Sequence, residues 1–176
     1  MLVSAGGGGD LEARCCLELA AGLADELGKP VLVVDAAPRE RKLSALLECA
    51  GRRGLTEALF DPRLSLGEIV LPTTHPNVAF VAAGILADPV EHVAAERAGA
   101  LLDSFQRDHE IVLLCAGAVP GNALALAFAP FVGRVLLLAT ENETMTEELE
   151  AAQESLRIRN AHDIGLVLAT RSRDLP

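Results

Sequence analysis

The sequence predicts an α/β fold with three layers, in which a central, mostly parallel sheet carries helices on both faces. Two observations predict it. Short apolar runs alternate along the chain with longer amphipathic runs, which is typical of βαβ units. The short runs are apolar at successive positions, as expected of strands that are buried on both faces of a parallel sheet. The length of 176 residues suits one compact domain, so we expect a single domain over residues 1–176.

Six short apolar runs are the predicted strands, and we expect all of them to be buried on both faces. One further segment, Asp61–Pro76, is irregular and carries three prolines, which cannot donate to a sheet. We therefore expect a loop there, with an edge strand or a short helix. The predicted strands are Met1–Ala5, Val31–Asp35, Val78–Ala83, Ile111–Cys115, Val135–Ala139 and Ile164–Thr170.

Apolar residues at helical spacing predict the helices between these strands. The first helix follows the glycine run and ends at Leu27, because Gly28 and Pro30 stop it. A later helix begins after Asp88-Pro89, an N-cap residue followed by a proline in the first turn, and runs to Phe105. The last helix, from Met145 to Leu156, presents an acidic outer face.

Composition and charge exclude several function classes. The chain has 25 acidic and 15 basic residues and a formal net charge of −10, which argues against nonspecific binding to nucleic acid or anionic lipid. No apolar run is long enough to insert into a membrane. Four cysteines lie in apolar segments without metal-ligand or disulfide spacing. We expect a soluble cytoplasmic protein with no metal, and core positions for Cys15, Cys16 and Cys115.

The run Gly6–Gly9 is the first candidate for a ligand site. It joins the first strand to the first helix, and parallel sheets bind ligands beyond the carboxyl ends of their strands. A glycine-rich loop in this place can hold phosphate with its backbone N–H groups. Glycines alone also form an ordinary flexible turn. From the loop itself both interpretations stay open.

Five further segments, in order and at matching spacing, resemble the bacterial tyrosine kinases, a group in the MinD/ParA-like branch of P-loop ATPases. Residues 28–39 resemble the second nucleotide motif, a strand that ends in Asp-x-Asp-x-Arg. Residues 54–59 resemble a Gly-Leu-Ser/Thr helix start, residues 77–84 an Asn-Leu-x-Val-Leu-Pro-Ala-Gly strand, residues 88–91 an Asn-Pro-x-Glu helix start and residues 108–115 the Walker B strand. The resemblance covers nearly the whole chain and implies a three-layer P-loop NTPase-like fold.

The chain departs from this resemblance at the positions that hold phosphate and Mg²⁺. When Leu17-Glu18-Leu19-Ala20 is aligned with the Leu-Asn-Leu-Ala of those kinases, Glu12 stands at the phosphate-binding Lys. A unit charge about 4 Å from a phosphate oxygen is worth roughly 4 kcal/mol, so its reversal changes the binding free energy by about 8 kcal/mol. Ala13 stands where the kinases have a Mg²⁺-binding hydroxyl, Ala37 where they have the second Asp of the second nucleotide motif, and Cys115 where they have the Walker B Asp. The aligned nucleotide-site positions are Gly6, Gly9, Leu11, Glu12, Ala13, Asp35, Ala37, Arg39 and Cys115.

These departures predict a domain with no catalytic residues, no nucleotide and no cofactor. The kinases also phosphorylate a C-terminal tyrosine cluster, and this chain contains no Tyr. The resemblance then implies an interaction or regulatory subunit in the assembly or export of capsule, exopolysaccharide or holdfast polysaccharide. It implies a place at the cytoplasmic side of the inner membrane, through binding to the cytoplasmic segments of a polysaccharide co-polymerase.

Two other functions stay open beside this one. A MinD/ParA-type ATPase switch with non-standard site residues is consistent with the glycine loop and with Asp35. A DNA-partitioning remnant is disfavoured by the acidic charge. We also expect contact with a partner or a homodimer through the former nucleotide face, where Leu11, Ala13 and Ala37 would provide apolar surface.

Overall fold

The computed structural model describes residues 1–6, 9–61, 63–85 and 95–170. Within them, seven strands form one sheet in the order β3-β4-β2-β5-β1-β6-β7. All neighbouring strands are parallel except β3, which pairs antiparallel with β4. The predicted α/β fold with a mostly parallel sheet is confirmed. The strands are β1 (Leu2–Ala5), β2 (Val31–Asp35), β3 (Val70–Pro72), β4 (Val78–Val81), β5 (Ile111–Val119), β6 (Val135–Thr140) and β7 (Ile164–Ala169).

Six α-helices connect these strands in the part of the chain that the structure describes. The first ends at Leu27 as predicted, and Gly28 follows it with a φ of +62°, the left-handed conformation that glycine adopts at helix ends. The predicted helix start at Asp88-Pro89 lies outside the described residues. The helices are α1 (Gly9–Leu27), α2 (Lys42–Leu46), α3 (Leu55–Phe60), α4 (Ala95–Gln106), α5 (Ala123–Phe128) and α6 (Thr146–Ile158), with 3₁₀ turns at Leu66–Glu68 and Ala129–Phe131.

Two apolar clusters, one on each face of the sheet, form the core. Helices α1 and α2 pack on one face, where Cys16, Ala20 and Leu43 are buried against the sheet. Helices α3 to α6 pack on the other face, where the largest buried side chains include Phe105 and Phe128. This division gives the three predicted layers. The core positions predicted for Cys16 and Cys115 are confirmed, whereas Cys15 is only partly buried.

The ends of two strands and the burial of the last strand differ from the sequence prediction. Strand β4 ends at Val81 instead of Ala83. Strand β5 continues to Val119 instead of ending at Cys115. The prediction for the irregular segment Asp61–Pro76 is confirmed, because it contains a 3₁₀ turn and the short edge strand β3. The prediction that the last strand is buried on both faces is wrong. Its side chains Leu166, Val167 and Leu168 are 54%, 37% and 59% exposed, because β7 is the edge strand and α6 packs over β1 and β5 instead.

No helix among the described residues has the length and apolar character needed to cross a membrane.

Candidate functional site

The glycine loop lies at the carboxyl end of the central strands, as predicted. Strand β1 is the third strand from the β7 edge and ends at Ala5. Gly6 follows with a φ of +76°, a conformation that favours glycine. The loop then leads into α1, whose first residue is Gly9. Residues 7 and 8 lie outside the described part of the chain.

The side chain of Glu12, which the sequence resemblance aligns with a phosphate-binding Lys, points into the protein. It is 3% exposed. Its Oε1 accepts a hydrogen bond of 2.8 Å from the backbone N–H of Gly117 and one of 3.5 Å from the Cys115 thiol. Both partners belong to β5, so the side chain connects α1 to that strand. The Glu12 carboxylate therefore lies at the bottom of the space between α1 and the ends of β2 and β5, which we call the cleft.

A bulge in β5 provides the donor for this carboxylate. Along β1, Leu2 pairs with Cys115 and Ser4 pairs with Ala118, so two steps on β1 correspond to three steps on β5. The extra residue lies around Gly117, whose φ is +67°. A bulge takes a backbone N–H out of the sheet ladder, and here that N–H donates to Glu12. A Cβ at Gly117 would lie 3.1 Å from the Cβ of Ala37, so the strand end leaves little room beside it.

Both carboxylate oxygens of Asp35, the residue aligned with the first Asp of the second nucleotide motif, accept hydrogen bonds from nearby residues. Its Oδ1 accepts from the N–H of Ala37 at 3.1 Å, and its Oδ2 accepts from the N–H and the hydroxyl of Ser44 at 2.7 and 2.6 Å. The Ser44 hydroxyl in turn accepts from the N–H of Ala83 at 2.9 Å. Asp35 thus joins the ends of β2, α2 and β4.

The carboxylates around the cleft raise one another's proton affinity. Burial raises the pKa of Glu12 and of Asp35 above their ordinary values, and the nearby Glu40 raises both pKa values further. Contact with Cys16 and burial raise the pKa of the Cys115 thiol, which the sequence resemblance aligns with the Walker B Asp. On the outer side of the loop, a Cβ at Gly6 would lie 2.9 Å from Glu148 Oε2. Three carboxyl groups, those of Glu12, Asp35 and Glu40, therefore surround the cleft, together with the ammonium group of Lys42.

The space between these side chains is small. The cavity that Glu12, Asp35, Ala37, Cys115 and Gly117 line measures about 10 Å³, which is near the size needed for one water molecule. Across the described residues, no group of three or more His, Cys, Asp and Glu side chains is arranged to hold a metal ion. This arrangement connects the ends of the strands. A second cavity of about 250 Å³ lies beside it and shares Ala13, Glu40 and Lys42 with it.

The remaining predicted positions divide into exposed and buried residues. Leu11 is 36% exposed and Arg39 is also at the surface. Ala13 and Ala37 are only 2% and 8% exposed. The prediction that these two alanines provide apolar contact surface is therefore wrong, because α1 and the turn after β2 pack them into the protein. Of the three residues proposed for contact, only Leu11 is available to a partner.

Several residues of this site have no signal in the sequence analysis. Ser44 is an ordinary polar residue within the short helix α2, and Glu40 is one just before it. Asn122 caps α5 by accepting from the N–H of Leu124 at 2.9 Å, and its amide donates to the carbonyls of Ala36 and Ala116. A glycine after an apolar strand was the one available sign of the bulge at Gly117.

Comparison with known proteins identifies the architecture. The VpsO kinase domain superposes with a TM-score of 0.84 at 19% identity, covering 98% of this chain and 84% of that one. The kinase domain of Escherichia coli tyrosine kinase ETK gives 0.82 at 18% identity, with coverages of 99% and 70%. The chain has the fold of the bacterial tyrosine kinase domains. No protein-family model matches the chain, and no curated protein matches it by sequence.

The chain also has the fold of MinD-type ATPases, the wider group to which the sequence resemblance points. The MinD cell division protein of Aquifex aeolicus gives a TM-score of 0.73 at 16% identity, and the match covers 95% of this chain and 67% of that one. The three-layer P-loop NTPase-like fold is thereby confirmed. In P-loop proteins the loop after the first strand holds phosphate; in this chain Glu12 lies in the first turn of α1, directly after the corresponding loop.

Proposed function

We propose that this chain is a catalytically inactive relative of the bacterial tyrosine kinase domains. In this proposal it acts as an interaction subunit in the assembly or export of a bacterial surface polysaccharide. The observation that carries the proposal is the hydrogen bond of 2.8 Å between Glu12 Oε1 and the N–H of Gly117. Phosphoryl transfer depends on a Lys at the phosphates and on oxygen ligands for Mg²⁺. Here the Lys position holds a buried carboxylate, which has a partner within the protein.

The other departures support the same proposal. Ala13 and Cys115 provide no hydroxyl or carboxylate for Mg²⁺, and both are buried. Asp35 retains its carboxylate but uses both oxygens for hydrogen bonds to Ala37 and Ser44. The cavity of about 10 Å³ supports the absence of nucleotide binding. The carboxylates of Glu12 and Asp35 are both used in hydrogen bonds that connect strand ends to neighbouring elements.

The proposed partner is the set of cytoplasmic segments of an inner-membrane polysaccharide co-polymerase. The sequence resemblance to the tyrosine kinases of such systems supports this partner, and so does the kinase domain fold. The proposal places the chain in the cytoplasm, attached to the inner membrane through that partner. A nucleotide-dependent switch would instead require the cleft to open and Glu12 to leave Gly117.

Replacement of the gene in its native host tests this function. We expect deletion to abolish or strongly reduce polysaccharide at the cell surface, and we expect both the wild-type gene and Glu12→Gln to restore it fully. Gln still accepts the hydrogen bond from Gly117 and, like Glu, carries no positive charge that could bind phosphate. A subunit that acts without nucleotide should therefore tolerate this substitution. As the matched negative control, Leu59→Asp places a charge in the core and should not restore export. A deletion without effect on polysaccharide contradicts the polysaccharide role.

Co-purification tests the partner separately. The tagged chain should retain the co-polymerase from detergent-solubilised membranes without added nucleotide, and addition of Mg·ATP should not change the recovered amount. Recovery that depends on ATP favours a nucleotide switch and contradicts the inactive subunit.

A further inference from the structure

A cavity of about 440 Å³ lies between α3 and α4, in the size range of ligand-binding pockets. Both helices belong to the layer on the far side of the sheet from α1 and Glu12. The cavity shares no residue with the cleft described above. We call it the α3–α4 groove and define it by Ala58, Leu59, Leu64, Leu66, Arg97, Ala100, Leu101, Ser104 and Arg107, together with Asp61 and Asp108.

The lining of the α3–α4 groove is mainly apolar. Leu64, Leu66 and Leu101 are partly exposed leucines that pack against the core. The small side chains of Ala100 and Ser104 lie on α4, and the Ser104 hydroxyl donates to its own helix at the carbonyl of Ala100. Small residues let another chain approach a helix closely, and partly exposed leucines offer it apolar contact.

Two arginines, Arg97 and Arg107, line this groove. The Arg97 guanidinium carbon lies 6.0 Å from the centre of the Phe60 ring, and neither Arg97 nor Arg107 forms an ion pair among the described residues. Of the two acids in the lining, Asp61 pairs with Arg63 at 3.3 Å, which leaves Asp108. The groove is therefore locally basic in a chain whose net charge is −10.

The spacing of the arginines suits an extended peptide. Ten positions separate them along and just beyond α4, which corresponds to roughly 15 Å at the rise of an α-helix. An extended chain covers this distance in about five residues. We propose that the α3–α4 groove binds a short segment of a partner protein in which apolar side chains lie between two carboxylates about five residues apart. This binding site goes beyond the proposed function and does not depend on the state of the nucleotide cleft.

Selection from a display library of random decapeptides tests the site, with the full chain as the target and Ala58→Arg as the counter-target. Arg at position 58 fills the groove from α3. The selected peptides should carry Leu, Phe or Met between Asp or Glu residues. Failure to enrich any peptide over the counter-target, or enrichment of peptides without acidic residues, overturns the proposal.

A charge exchange makes the test specific. Arg97→Glu should lower the affinity of a selected peptide by about five-fold or more, and replacement of one peptide acid by Lys should restore it. Arg52→Glu makes the same charge change at an exposed position outside the groove and should leave the affinity unchanged. Thermal unfolding of the variants verifies that the fold is intact. Equal affinities for Arg97→Glu and Arg52→Glu overturn the proposal.

Discussion

The backbone N–H of Gly117 donates to Glu12 Oε1 at 2.8 Å, and this bond joins the first turns of α1 to the bulge in β5. In a P-loop ATPase both groups would face the nucleotide, the helix residue as a Lys and the strand end near the metal. Here they satisfy each other. The same pair therefore connects α1 to the end of β5, and in the proposed function it takes the place of the contacts to phosphate.

The pH dependence of stability tests the burial of Glu12. Because burial raises the pKa of this carboxyl, the folded state holds its proton more tightly than the unfolded state does. The stabilisation linked to that proton is complete below the unfolded pKa and is lost as pH rises through the folded pKa. Glu12→Gln keeps the acceptor and removes the charge, so we expect it to stabilise the protein at pH 8 and to differ less from wild type at low pH.

Urea unfolding across this pH range measures the effect. Glu18→Gln is the matched control, because Glu18 lies on the same helix and is exposed, and its stability profile should follow that of the wild type. A Glu12→Gln variant that is less stable than wild type at pH 8 contradicts a buried carboxylate whose charge is costly.

Asp35 should contribute to stability as the acceptor that joins β2, α2 and β4. Asp35→Ala removes the partner of the N–H groups of Ala37 and Ser44 and of the Ser44 hydroxyl. Buried donors left without acceptors cost about 1–3 kcal/mol each, so we expect a loss of about 3 kcal/mol or more in the free energy of unfolding. Asp25→Ala is the control, because that carboxylate is largely exposed. Similar losses for both variants would contradict this role.

Gly54 should tolerate no side chain. A Cβ there would lie 2.0 Å from the carbonyl oxygen of Ala82, and the N–H of Leu55 holds that carbonyl in place at 2.8 Å. We expect Gly54→Ala to cost about 3 kcal/mol or more, measured by chemical unfolding. Gly51→Ala is the matched control, because nothing lies within 4 Å of a Cβ at that position. A Gly54→Ala protein as stable as Gly51→Ala would show that the contact is not rigid.

The sequence predicts the layers of this fold better than the details of its site. Strand β2 and the end of α1 at Leu27 follow from local apolar patterns and a glycine stop, which nearby residues determine. Glu12 and Gly117 are 105 positions apart, and their contact depends on a bulge that no local pattern encodes. The exposure of β7 likewise follows from its place at the sheet edge, which its apolar sequence does not reveal.

The double substitution Glu12→Lys with Ala13→Ser tests how far the cleft is from phosphate binding. It restores the residue types that the resemblance places in the phosphate-binding loop, so we expect weak affinity for Mg·ADP. We expect no phosphoryl transfer, because Ala37 and Cys115 still provide no carboxylate for the metal. Calorimetry measures the affinity, with Glu12→Gln as the control that removes only the charge. Binding by the double variant no tighter than by Glu12→Gln would contradict this expectation.

Titration calorimetry of the wild-type chain with Mg·ATP tests the central claim most directly. Because Glu12 is bonded to Gly117 and places a carboxylate beside Asp35 and Glu40, we predict no binding heat at millimolar Mg·ATP. We also predict no change in thermal unfolding, whereas a ligand present at 100 times its Kd would stabilise the protein by about 2.7 kcal/mol. Saturable binding of Mg·ATP with a micromolar Kd would contradict the account.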